Sequence, residues 1–120
     1  MSDGLILPDM SLDCSLSVDT RDDRVEFTFE VRNPGDEPSD LQFSDAQEAD
    51  LAIADAAGTE VWRWSAGRMF AQMLQQKQLD PGATATYAFE WEDPEPGEYE
   101  ATAVLASTNA DCEATTAFEV

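Results

Sequence analysis

The sequence predicts an all-β protein, and three observations support that prediction. Apolar and polar residues alternate over several short stretches, of which Val25–Val31 is the most regular. Groups of turn-forming residues separate these stretches at a spacing of roughly ten residues. Long helical patterns between the stretches are missing, which argues against a parallel α/β sheet. Together they favour an antiparallel immunoglobulin-like β-sandwich of seven to nine strands.

The first two strands are predicted by strict period-two alternation, which gives each strand one buried face. Thr20–Asp23 forms a polar turn between them, and Asn33–Asp36 ends the second strand with turn chemistry. The residues expected to point inward are Leu12, Cys14, Leu16, Val18, Val25, Phe27, Phe29 and Val31.

The middle of the chain is predicted to hold shorter strands. Leu41 and Phe43 mark one strand, a polar loop follows over residues 44–50, and Leu51 and Ile53 begin the next. A strand over residues 61–64 is expected to form a hairpin with it across the glycine turn at residues 57–59. Alternation then places Val61 and Arg63 on one face and the two tryptophans, Trp62 and Trp64, on the other.

Residues 68–78 carry an ambiguous pattern. Met69, Phe70, Met73 and Leu74 sit at helical spacing, and the segment contains neither Gly nor Pro. We therefore expect a short helical turn followed by an extended piece.

The last third of the chain returns to alternation. Strands are expected over residues 86–92, 99–105 and 112–120, with turns at residues 93–97 and 108–111 between them. Pro96-Gly97-Glu98-Tyr99 resembles the corner of such sandwiches, where a tyrosine at the start of a late strand bonds back to the preceding turn.

The composition bounds both the organisation and the partners of the chain. A length of 120 residues favours one sandwich domain over residues 10–120, preceded by a flexible lead-in over residues 1–9.

The formal net charge is -20, from 26 acidic and 6 basic residues. Such a charge is typical of a salt-adapted protein, because concentrated salt screens the self-repulsion. It argues against nucleic-acid binding, which needs clustered Lys and Arg.

The location is predicted from the apolar content. No stretch is long enough to span a membrane, and Met1–Pro8 lacks the basic region of a signal peptide. We therefore expect a cytoplasmic, monomeric protein that does not bind membranes.

Cys14 and Cys112 fall on the inward register of the first and last strands. In a reducing cytoplasm we expect two small buried thiols. A disulfide is the alternative, because terminal strands often neighbour each other in a sandwich.

The chemistry of common enzymes is missing from the sequence. The chain contains no His, which excludes Ser-His-Asp and Cys-His machinery. Neither of the glycine-rich phosphate-binding motifs occurs, and two cysteines without histidine cannot form a structural zinc site. We expect a binding protein that is not an enzyme and has no cofactor or metal.

One unusual passage follows the two adjacent tryptophans. Residues 65–70 change from small to basic to apolar within an otherwise acidic chain, and an arginine beside apolar residues is typical of a partner-binding patch. The tryptophans themselves have a second interpretation, as core residues of the sandwich. The predicted partner-binding residues are Gln47, Trp64, Ser65, Gly67, Arg68, Met69, Phe70 and Gln72.

The chain resembles the BsuPI family of intracellular proteinase inhibitors over roughly residues 25–105. The resemblance depends on the block Asp55–Ser65 with its Val-Trp-Arg-Trp-Ser core, followed by Phe70–Gln72 and Leu79–Gly82. Val25–Gly35, Trp91 and Pro96–Tyr99 add to it. One departure lies in the loop over residues 44–50, where Gln47 is retained but the Gly and aromatic residues expected in the family are replaced.

The resemblance implies an immunoglobulin-like sandwich that binds and blocks a cytoplasmic serine protease of the subtilisin type. Either residues 64–72 or residues 44–50 could make the contact, with Met69, Phe70 or Met73 in the main pocket of the protease. The alternative function is a non-inhibitory binding or assembly module that presents a sheet edge or the Arg68–Phe70 patch to another cytoplasmic protein.

Overall fold

The computed structural model describes residues 12–120, and this part of the chain is all-β. It contains nine strands in antiparallel sheets, as the alternation predicts. The strands are β1 (Asp13–Thr20), β2 (Arg24–Arg32), β3 (Ser39–Phe43), β4 (Ala49–Asp55), β5 (Glu60–Arg63), β6 (Gln75–Leu79), β7 (Thr84–Glu92), β8 (Glu98–Leu105) and β9 (Glu113–Glu119). The expected lead-in over residues 1–9 lies outside the described residues, so the domain boundary at residue 10 stays a prediction.

The strands form a sandwich with a two-stranded extension. One sheet has the order β1-β2-β7 and the facing sheet has the order β5-β4-β8-β9. The ribbon β3-β6 extends the architecture, and its β3 side is covered by the loop after β8, where Thr108 N–H donates to Gln42 O at 2.8 Å. No helix of the described residues could span a membrane.

The core lies where the inward registers of the two sheets meet. All four inward side chains predicted for β2 are fully buried, and Leu51, Ile53, Ala101 and Ala103 face them from β4 and β8. Alternation fixes this outcome because successive side chains of a strand point to opposite faces. The predicted tyrosine corner is also confirmed, since the Tyr99 hydroxyl donates to Glu95 O at 2.6 Å.

Two turns that belong to the family resemblance are bonded to each other. The buried Asn33 side chain donates to Leu79 O at 2.9 Å and to Glu37 O at 2.7 Å. Gly82 N–H donates to Asn33 O at 2.8 Å. Gly82 has a φ of 78°, a conformation that favours glycine. The turn after β2 and the turn before β7 therefore support each other, which gives both motifs a structural role.

Two expectations from the sequence are wrong. The helical turn after residue 68 does not form, and the chain runs without regular structure to Leu74 before pairing as β6. The segment is held instead by the contacts of Arg68 and Phe70 with the Trp64 ring and by the hydrogen bond from Ala46 N–H to Ala71 O. The extended piece is confirmed as β6.

The second correction concerns the cysteines, which are not free thiols. Cys14 on β1 and Cys112, directly before β9, form a disulfide with a Cα–Cα distance of 6.0 Å. β1 and β9 lie at the edges of the two facing sheets and pack on each other. The expected reducing cytoplasm favoured free thiols, but the sandwich topology places the two cysteine side chains within bonding distance.

Candidate functional site

Two surface segments, residues 44–48 and 65–74, lie side by side. Ala46 N–H donates to Ala71 O at 2.9 Å, and Gln75 Nε2 donates to Asp45 O at 2.9 Å. The ribbon brings them together, because β3 runs into the first segment and β6 begins where the second ends. We call these residues the paired-loop surface. The sequence offered residues 64–72 and residues 44–50 as alternatives, and hydrogen bonds in the structure join these two loops.

A buried carboxylate anchors the start of the second segment. Asp50 Oδ1 accepts from Leu51 N–H at 2.8 Å and from Ser65 N–H at 3.1 Å. Its Oδ2 accepts from Ser65 Oγ at 2.7 Å and from Arg63 Nη1 at 3.1 Å. Sequence reasoning placed Asp50 in a polar loop and missed this role. The only signal was the shared register of Arg63 and Ser65, which project from the same face of the chain.

Trp64 supports the middle of the second segment. Its ring packs edge-on against Phe89 with centroids 5.2 Å apart, while its backbone N–H donates to Leu51 O at 2.9 Å. The Arg68 guanidinium lies 4.3 Å from the same ring centroid, and Arg68 Nε donates to Trp64 O at 2.8 Å. The Phe70 ring contacts it with centroids 5.7 Å apart. Trp64 is therefore both a packed residue and the platform for the segment that follows.

The other tryptophan of the pair is structural. Trp62 stacks on Trp91 with ring centroids 6.1 Å apart, inside the sandwich. Val61 and Arg63 point outward, as alternation predicts. The interpretation of the tryptophans as core residues holds for Trp62 and for one face of Trp64.

The segment exposes apolar side chains to an unusual degree. Met69 is 98% exposed, Leu74 86% and Met73 54%. Gly67 and Gln72 are also exposed, and Gly67 turns the chain with a φ of 80°. Large apolar side chains that stay in water contribute nothing to the stability of the fold, so their exposure points to a contact surface.

Gln47, the predicted site residue of the first segment, is only half exposed. Its N–H donates to Asp45 Oδ1 at 2.9 Å, and its Nε2 donates to Ala49 O at 3.2 Å. Both bonds hold the loop in shape. Gln47 therefore positions the first segment, and a direct role in partner contact stays a prediction.

Arg68 differs from every other cation in the part of the chain that the structure describes. The remaining five basic residues each form an ion pair with a carboxylate: Arg21, Arg24, Arg32, Arg63 and Lys77. Arg68 pairs with no described carboxylate and uses only Nε and its flat face internally. Its two terminal nitrogens remain available in a protein of net charge -20.

A groove of about 630 Å³ lies beside Trp64 and Arg68 and is lined by residues of β2, β5 and β7. Its lining combines aromatic side chains with the carboxylates of Glu26, Glu90 and Glu92. Residues 12–120 hold no cluster of three side chains suited to a metal ion.

A family model described as intracellular proteinase inhibitor, BsuPI, matches residues 12–110. The chain belongs to the BsuPI family. The match includes the whole paired-loop surface. No curated protein sequence matches the chain.

Solved structures similar to this BsuPI chain share its fold at low identity. A penta-heme cytochrome c552 from Thermochromatium tepidum aligns with a TM-score of 0.57 and 10% identity, over 92% of this chain and 40% of that one. A β-glucosidase from Kluyveromyces marxianus aligns at 0.53 and 15%, over 92% and 14%. β-Glucosidase 3B from Thermotoga neapolitana aligns at 0.51 and 16%, over 92% and 16%. The chain spans less than half the length of each of these proteins, and the likeness concerns the fold alone.

The first segment of the paired-loop surface, residues 44–48, is also bonded to Tyr87 of strand β7. The Tyr87 hydroxyl donates to Glu48 Oε1 at 2.9 Å. Burial, the hydrogen bond to Glu48 and the charge of that carboxylate raise the pKa of Tyr87 well above its ordinary value. The folded protein therefore keeps the phenolic proton at a pH where the unfolded chain has lost it.

We expect this difference to weaken the fold in alkali. Stability should fall as the pH rises through about 10, the pKa of tyrosine in the unfolded chain. Urea unfolding from pH 8 to pH 11 checks this, with Tyr87→Phe as the matched control. Above about pH 10 the free energy of unfolding should fall more steeply for the native protein than for Tyr87→Phe. Parallel pH curves for the two proteins would contradict the expectation.

Proposed function

We propose that this BsuPI chain inhibits a cytoplasmic serine protease of the subtilisin type by placing residues 65–74 in the active-site cleft. Family membership supports inhibition of a proteinase. The observation that carries the proposal is a segment that lacks regular structure, exposes apolar side chains and is nevertheless held by contacts between Ser65 and Ala71.

The fixed points are spread along the segment. Ser65 is bonded to Asp50, Arg68 and Phe70 rest on Trp64, and Ala71 is bonded to Ala46. A protease cleft binds an extended segment by backbone pairing and by pockets for alternate side chains. A segment that is already ordered loses little conformational entropy on binding, so more of the contact energy appears as affinity.

The charge of the chain supports the proposed setting. A net charge of -20 suits a salt-adapted cytoplasm, where the screening length falls to about 3 Å at 1 M salt. Long-range repulsion or attraction between inhibitor and protease is then weak. Short-range apolar contacts are strengthened by salts that are excluded from protein surfaces, which favours recognition through Met69 and its neighbours.

Titration of a subtilisin-type protease from a salt-adapted source tests the proposal. In about 1 M salt or more, residual activity should fall in proportion to added protein and level off near one equivalent, as tight one-to-one binding requires. Heat-unfolded protein is the control for substrate competition. Unchanged protease activity at an equimolar ratio contradicts the proposal.

A non-inhibitory binding module is the second candidate, and the groove beside Trp64 favours it. The carboxylates of Glu26, Glu90 and Glu92 would suit a partner that presents a basic group beside an apolar one. A stable complex with a basic partner, formed while protease activity is unaffected, would support this function over inhibition.

A further inference from the structure

Met69 stands out from the other exposed apolar residues because both of its neighbours are held on one ring. We propose that the Met69 side chain is the one that enters the main specificity pocket of the protease, and that Arg68 and Phe70, clamped on Trp64, present it. This inference rests on the proposed inhibitory function and assigns its specificity to one residue.

The clamp consists of two contacts, which the neighbours of Met69 on either side make with the Trp64 ring. Arg68 lies 4.3 Å from the centroid of the Trp64 ring and Phe70 has its centroid 5.7 Å away. With both neighbours turned inward onto Trp64, Met69 is left 98% exposed.

The platform beneath the clamp is itself rigid. Trp64 packs edge-on against the buried Phe89 and is bonded through its backbone to Leu51 in the central strand β4. The next residue, Ser65, is bonded to the buried carboxylate of Asp50. Met69 is therefore connected to the core of the sandwich through its two neighbours and the Trp64 ring.

The other two exposed apolar residues lack this support. The neighbours of Met73 are Gln72 and Leu74, and both side chains are exposed. Leu74 leads directly into β6 and borders a shallow pocket with Phe43 and Gln75, so its position belongs to the ribbon. Neither residue is presented by flanking contacts.

The chemistry of Met69 suits an apolar pocket. Its unbranched thioether chain adapts to the shape of a cavity and buries apolar surface without a hydrogen-bonding requirement. Full burial of such a side chain corresponds to roughly a 10- to 100-fold change in affinity. A carboxylate at the same position would have to lose its water in an apolar pocket, which should cost at least about 100-fold.

The experiment measures the inhibition constant of four full-length proteins against one subtilisin-type protease in high salt. They are the native protein, Met69→Asp, Met69→Leu and Val61→Asp. Val61 is 46% exposed on β5 outside the paired-loop surface, so Val61→Asp makes the same charge change away from the proposed contact. Unfolding midpoints in urea verify that each variant is folded. We expect all of them to fold, because the side chains at positions 61 and 69 are exposed.

We expect Met69→Asp to weaken inhibition by at least about 100-fold, Met69→Leu to stay within about 10-fold of the native protein, and Val61→Asp to match it. Equal inhibition by native protein and folded Met69→Asp would overturn the assignment of Met69 while leaving the inhibitory function standing. A native protein that does not inhibit at all would overturn both.

Discussion

Reduction of the Cys14–Cys112 disulfide is expected to lower the free energy of unfolding by up to about 4.7 kcal/mol, the loop-entropy value for about 100 residues. The bridge closes a loop with a sequence separation of 98, which is nearly the whole described chain. It joins the outer strands of the two facing sheets. Because the closed loop is long, the bond removes much of the conformational freedom of the unfolded chain.

Urea unfolding with and without reductant measures this effect, with the thiol state verified by alkylation and mass. The double variant Cys14→Ser/Cys112→Ser should unfold at the same urea concentration as the reduced native protein. Identical midpoints for oxidised and reduced protein would contradict the prediction. Because disulfides are uncommon in reducing compartments, the same comparison gives the stability that the protein would keep there in its reduced form.

Replacement of Asp50 by Ala is the second large effect, with an expected loss of about 3 kcal/mol. The Asp50 side chain is only 10% exposed and accepts four hydrogen bonds, from the backbone N–H groups of Leu51 and Ser65, the Ser65 hydroxyl and the Arg63 guanidinium. Its removal leaves buried donors without an acceptor, whereas Arg63 remains partly hydrated.

Glu60→Gln is the matched control, because Glu60 is the other carboxylate bonded to Arg63. Its side chain is 49% exposed, and an exposed pair contributes at most about 1 kcal/mol. Urea unfolding followed by tryptophan fluorescence separates the two variants. If Asp50→Ala and Glu60→Gln unfold at the same urea concentration, the anchoring role of Asp50 is wrong.

The same variant links stability to the proposed function. Loss of the Ser65 anchor should loosen the start of residues 65–74 and raise the entropic cost of ordering them in a protease cleft. Inhibition by folded Asp50→Ala should therefore weaken, while inhibition by Glu60→Gln should stay near the native value.

The amino-acid sequence alone determined the strands and their buried faces. Val25, Phe27, Phe29 and Val31 alternate, and all four are buried, because the direction of a side chain in a strand depends only on its position. The bond from the Tyr99 hydroxyl to Glu95 O was predictable because the two residues are only four apart in sequence. The turn at Asn33 and the orientation of Trp62 followed equally from local pattern.

Only the tertiary structure decided which of these elements meet. The bond between Ala46 and Ala71, the burial of Asp50 beneath Ser65 and the joining of Cys14 to Cys112 connect residues that are distant in sequence. The helical spacing around Met69 predicted a turn, but the segment is held instead by Trp64 and by the hydrogen bond from Ala46 N–H to Ala71 O. Local pattern carries no information about which strands become neighbours, and the candidate site is built from those neighbours.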